Sequence, residues 1–167
     1  SMNSRRQKTL IYYAENDELT GIFNRRAFEH KVRSWMDSEE YTGKQAFLMM
    51  DVDLFKEIND VYGHAVGDKV LKQVGKILRE TFRGSDILGR IGGDEFMVFM
   101  KDITEKELAA RKAEELKEKL LEIDFPELKG RKITASMGIA FFPDACGFKY
   151  GCSIVPDLAS MDVTVAY

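Results

Sequence analysis

Two carboxylates close the most apolar stretch of this chain. Residues 46–52 are hydrophobic apart from Asp51, and Asp53 follows at once. At a spacing of two in an extended segment, both side chains lie on one face and their charges crowd. Such a pair beside a core is costly unless a cation sits between the charges. Oxygen ligands of this kind suit Mg²⁺, which takes one or two protein carboxylates when phosphates complete its shell. Alone, the pair is better read as merely the frayed polar end of a strand. A second cluster strengthens the chemical reading. Gly92-Gly93 leaves backbone N–H groups open to close approach, and Asp94 and Glu95 follow directly. If the strands flanking those glycines lie beside the apolar strand, Asp94 arrives near Asp51, with Lys56 nearby. Carboxylates on adjacent strands, a glycine turn and a lysine outline a site for metal-assisted phosphoryl transfer. The competing reading is an ordinary Gly-Gly hairpin with acidic turn residues.

The elements that must hold these groups follow from hydrophobic periodicity. Phe28, Val32, Trp35 and Met36 fall at helical spacing after Asn24 and predict an amphipathic helix. Residues 46–52 read as a strand covered on both faces. A short helix over 54–61 ends at Gly63, and a longer one presents Val70, Leu71, Val74 and Leu78 on one face. Residues 86–91 and 95–100 read as strands joined across Gly92-Gly93. Thr104 and Glu107 have the spacing of a capping box before a helix carrying Ala109, Ala113, Leu116 and Leu120. Alternation over 133–142 predicts a last strand. The order α-β-α-α-β-β-α-β is an α+β fold, with an antiparallel-rich central sheet flanked by helices, rather than a parallel dinucleotide fold.

Composition narrows the classes further. The 167 residues suit one domain with short flanks, and 44% hydrophobic content with 11 Phe excludes a wholly disordered chain. A net charge of −3 argues against a general nucleic-acid coat. No apolar run approaches the roughly 18 residues of a membrane span, so the domain is expected to be cytoplasmic. Cys146 and Cys152 form neither a disulfide framework nor a metal pattern with His30 and His64.

Ile91-Gly92-Gly93-Asp94-Glu95-Phe96 resembles the signature that names the GGDEF family of diguanylate cyclases. Asp51-Val52-Asp53-Leu54-Phe55-Lys56-Glu57-Ile58-Asn59-Asp60 resembles that family's second signature, continued by Gly63-His64 and Gly67-Asp68. Asp17-Glu18-Leu19-Thr20 looks like its opening motif, and the spacing of the three blocks also fits. The resemblance implies a palm-like nucleotidyl-cyclase sandwich that condenses two GTP into cyclic di-GMP with release of pyrophosphate. Each protomer of a homodimer would present one GTP with two Mg²⁺ or Mn²⁺ ions. By matching position, Asp51, the Val52 carbonyl and Asp94 would hold the metals. Lys56, with the backbone near Leu54, Phe55 and Gly93, would face the phosphates, and Asp94 or Glu95 would help deprotonate the attacking 3′-hydroxyl. Asn59 and Asp68 would read the guanine edge, with His64 beside the nucleotide. Plainer roles stay open: Asp68 as a helix N-cap, His64 as a turn residue, Asn59 as a cap of its own helix, Lys56 as a solvated charge. Arg83 and Asp86 have the RxxD spacing that, in the family, binds cyclic di-GMP as a feedback inhibitor; the alternative is a surface ion pair.

The resemblance implies residues 1–15 as a linker helix from an upstream sensor, membrane-bound or not, with this domain on its cytoplasmic side, and 16–145 as the catalytic domain. Residues 146–167 form an atypical tail. There the family has an ADxALYxAK-type helix and a GRN strand, and this chain reads Gly147-Phe148-Lys149-Tyr150-Gly151-Cys152-Ser153 instead. Codons for 151–156 read one base later can spell DAALYR, and those for 161–164 read two bases later GRNR, so a frame-shifted tail is an explanation that DNA sequencing tests. Loss of the helix's Lys and Arg implies slower turnover. The alternative function is a weak or inactive module that binds cyclic di-GMP or GTP as a regulator.

Overall fold

The structure, a computed structural model, describes residues 2–142. Along the chain run α1 (Met2–Glu15), β1 (Phe23–Asn24), α2 (Arg25–Asp37), β2 (Lys44–Val52), α3 (Phe55–Tyr62) and α4 (His64–Thr81). They are followed by β3 (Ile87–Arg90), β4 (Glu95–Ile103), α5 (Lys106–Leu121), a 3-10 turn at Pro126–Leu128 and β5 (Ala135–Phe142). The five strands form one sheet in the order β1-β3-β4-β2-β5. Every pairing is antiparallel except that of β1 with β3.

The apolar run lies in β2, paired on both sides and covered on both faces. Ala46, Leu48, Met50 and Val52 face the larger core with α4 and α5, while Phe47 faces a smaller core with Phe28 and Val32 of α2. The period-2 alternation of a strand therefore feeds two apolar layers, which is why it reads as continuous hydrophobicity. Asn24 caps α2 by accepting from the Ala27 amide at 2.9 Å. Gly89 lets that helix lie close, since a Cβ there would stand 2.7 Å from the Phe28 ring.

Two local expectations are corrected, and one strand is added. β4 runs on to Ile103, so Thr104 falls in the connecting turn; α5 starts at Lys106 with Glu105 as N-cap and no side-chain capping bond. The Thr104–Glu107 capping box is therefore not formed. Asp68 is not an N-cap, because Gly63 caps α4 and Asp68 lies inside the helix. β1 is a two-residue strand, too short for any periodicity to reveal. Helix α1 has no buried residue. Among the described residues, no helix is long and apolar enough to cross a membrane. The tail over 146–167, with Cys146 and Cys152, lies outside the described residues.

Candidate active site

β2 and β4 place Asp51 directly opposite Glu95, and the Val52 amide donates to the Asp94 carbonyl at 3.2 Å. The polar end of the apolar strand therefore meets the Gly92-Gly93 turn, and Asp51, Asp94 and Glu95 gather at one end of the sheet. Burial pushes the Asp51 carboxyl above its ordinary value, and the charges of Glu95, Asp94 and Asp53 push it the same way. Asp53 contributes least, because it lies just past β2 and is drawn aside. Its carboxylate accepts from Thr134 Oγ1 at 2.7 Å and Ser136 Oγ at 2.6 Å, and its amide donates to the Thr134 carbonyl at 2.9 Å. The crowding comes mainly from the hairpin, not from the i, i+2 pair.

Among the described residues, no three His, Cys, Asp or Glu side chains are gathered as a metal cage. Two carboxylates and a backbone carbonyl are nonetheless a donor set that fits a hard divalent cation, provided phosphate oxygens fill the rest of its shell. The charges that Glu95, Asp94 and Asp53 set around Asp51 are ones such a cation would offset.

After Asp53 the chain turns on Leu54, held in the left-handed region at φ 52°, ψ 35° and 66% exposed. That conformation is uncommon for a leucine. It swings the backbone into α3, leaving the first-turn amides of Phe55 and Lys56 without intrahelical acceptors, and it sets the Lys56 side chain in solvent. Gly63 then serves two helices at once. Its amide closes α3 on the Asn59 carbonyl at 2.9 Å, and its carbonyl accepts the Gly67 amide at 3.1 Å to open α4. Its φ of 89° with ψ of 158° is open essentially to glycine alone. This corner stacks half-buried Asn59 over Gly67 and leaves His64, the first residue of α4, and Asp68 exposed. The carboxylates thus form one group and Asn59, His64 and Asp68 another, joined by the chain through Lys56.

A clamp behind the turn escaped sequence reasoning. The Arg90 guanidinium donates to the Gly93 carbonyl at 3.1 and 2.8 Å and to both Asp17 oxygens at 3.2 Å. Asp17 also accepts the Thr20 amide at 2.9 Å and hydroxyl at 2.6 Å. Burial alone would raise the Asp17 carboxyl, but the Thr20 bonds and Arg90 outweigh it and hold it below its ordinary value. The signals were present: an Asp-x-x-Thr turn, and an arginine in the strand entering the glycine pair.

Arg83 and Asp86 pair with each other, Nη2 to Oδ1 at 2.8 Å. Asp86 is 3% exposed and also accepts the Arg83 and Lys101 amides, at 3.0 and 3.2 Å, while Arg83 is 49% exposed. Concavities of about 230 and 500 Å³ open beside this pair.

The sheet, its carboxylate end and the glycine turn define an α+β domain built around a Gly-Gly-Asp-Glu-Phe hairpin. The chain belongs to the GGDEF family: the family model described as diguanylate cyclase, GGDEF domain, matches residues 14–150. Among relatives, the probable diguanylate cyclase DgcT of Escherichia coli is 39% identical over 128 residues, covering 75% of this chain and 28% of that protein. The solved GGDEF domain of TpbB (YfiN) from Pseudomonas aeruginosa has a TM-score of 0.70 at 34% identity, covering 78% of this chain and 77% of that one. The GGDEF domain of DgcB from Caulobacter crescentus, solved in complex with c-di-GMP, has a TM-score of 0.69 at 27% identity, covering 77% and 75%. The chain spans about a third of the length of the curated relatives it matches. At the level of the family, the associated activity is cyclic di-GMP synthesis.

Proposed function

We propose that this domain condenses two GTP into cyclic di-GMP with release of pyrophosphate. The observation that supports it is the meeting of Asp51 with Asp94 and Glu95 where β2 and β4 adjoin, with Lys56 on the next helix. In each half-reaction the 3′-oxygen of one GTP bonds to the α-phosphorus of the other, the bond to the bridging oxygen breaks, and pyrophosphate departs. Asp94 or Glu95 accepts the proton of the attacking hydroxyl. Lys56, the amides near Leu54 and Phe55, and Gly93, whose Cβ position is open space, face the phosphates and offset charge that grows in the transition state. Asn59 and Asp68 read the guanine edge, with His64 beside the nucleotide. Asp51, the Val52 carbonyl and Asp94 are the groups to hold two Mg²⁺ or Mn²⁺ ions, which would neutralise phosphate charge and polarise the phosphorus.

Each protomer presents one GTP, so the reaction needs a homodimer. Residues 16–145 are the catalytic domain in this reading, residues 1–15 a linker from a sensor, and 146–167 a tail replacing the family's last elements, in a cytoplasmic setting. Product feedback at Arg83 and Asp86 is a second function, favoured by the half-exposed Arg83 and the concavity that both residues line. The test is incubation with GTP and Mg²⁺ and identification of the product by mass. Cyclic di-GMP is expected; unchanged GTP at high protein concentration would contradict the proposal.

A further inference from the structure

We propose that Gly67 is a positioning residue for base recognition: its missing side chain is the space that seats the Asn59 amide. The inference rests on the reading of Asn59 as a guanine contact and adds what sets that contact's position. A Cβ at residue 67 would stand 1.9 Å from Asn59 Oδ1, 3.0 Å from its Cγ and 3.2 Å from Phe55 Cζ. These three nearest atoms all belong to side chains of α3. Gly75 differs, since a Cβ there meets the Thr20 carbonyl at 3.1 Å and its Cα at 3.5 Å. An alanine at 67 would therefore displace the Asn59 amide and nudge the Phe55 ring while leaving both helices in place.

Backbone conformation does not explain the glycine. Gly67 lies inside α4 and is not among the glycines with positive φ, so an alanine fits its backbone and suits a helix better. What requires glycine is the close stacking at the Gly63 corner. Nor is the amide held by bonding, because among the described residues no hydrogen bond to the Asn59 side chain is made. Its position is set by shape, with Gly67 as the floor beneath it. A carboxamide so placed offers a donor and an acceptor side by side, the pattern a guanine edge complements. Moving it by the more than 1 Å that an alanine demands breaks such a pair, since hydrogen bonds fail beyond about 3.5 Å.

The test is a double-mutant cycle on the full chain, reading affinity in Mg²⁺ by titration with GTP whose α- and β-phosphates are joined by a methylene bridge that cannot be cleaved, and thermal stability without nucleotide. Gly67→Ala is expected to weaken binding of this analogue about ten-fold with no fall in melting temperature. Asn59→Ala is expected to weaken it similarly, and the double variant no further than Asn59→Ala alone. Wild-type affinity in Gly67→Ala, additive losses in the double variant, or a lowered melting temperature in Gly67→Ala would overturn the proposal while leaving Asn59 as a guanine contact. Wild-type affinity in Asn59→Ala would overturn that underlying reading, and the proposal with it.

Discussion

Replacing Arg90 with alanine removes one guanidinium that holds two segments together. It bonds the Gly93 carbonyl at 3.1 and 2.8 Å and both oxygens of Asp17, 73 residues away in sequence, at 3.2 Å. The pair is shielded, with Arg90 18% and Asp17 21% exposed. Losing a hydrogen bond to a charged group costs about 1.5–3 kcal/mol, and losses within one network are not additive. Asp17 keeps its Thr20 bonds, so Arg90→Ala should destabilise the domain by about 2–3 kcal/mol, a fall of roughly 5–10 °C in melting temperature. Urea unfolding measures it, and a cycle with Asp17→Asn should give a coupling of about 1 kcal/mol. The pH dependence has a definite sign. Asp17 is lowered from its ordinary 3.8, so its ionised form stabilises the fold above that value, and this is lost as pH falls through the folded value. The stability gap between wild type and Asp17→Asn should therefore close in acid. A loss below about 0.5 kcal/mol for Arg90→Ala, or a gap that widens in acid, would refute the clamp.

Asp94→Ala should abolish conversion of GTP without lowering the urea midpoint of the metal-free protein, because it removes one of the charges that crowd Asp51; product analysis by mass and urea unfolding check the two halves. Arg83→Ala should weaken cyclic di-GMP binding and relieve product inhibition with the initial rate unchanged, at a stability cost of about 1 kcal/mol as buried Asp86 loses its cation. Calorimetry and initial rates with added product decide it. Leu54→Asn should raise stability by about 0.5–1 kcal/mol, since asparagine tolerates the left-handed conformation that leucine resists, and the urea midpoint reads the change.

Much of this arrangement is legible along the chain because its signals are local. The apolar run ending in Asp51 marks an interior strand, and Gly92-Gly93 marks the hairpin that carries Asp94 and Glu95 beside it. What escaped depends on distance or on competition. The Arg90–Asp17 bond joins segments that no local pattern connects. The Thr104–Glu107 spacing was outweighed by β4 pairing with β2 as far as Ile103, opposite Lys44. By spacing alone Asp53 looked equivalent to Asp51, but Thr134, just before β5, and Ser136, within it, draw its carboxylate aside. The RxxD spacing marked a charged pair, and only the fold shows Asp86 buried under its own bonds.

The most direct measurement is a single-turnover incubation of this chain with GTP and Mg²⁺, followed by mass analysis of the nucleotide products in wild type and Asp51→Asn. The account predicts cyclic di-GMP and pyrophosphate from wild type and neither from the variant. Equal product from both would contradict the carboxylate site, and intact GTP in both would contradict catalysis by this chain.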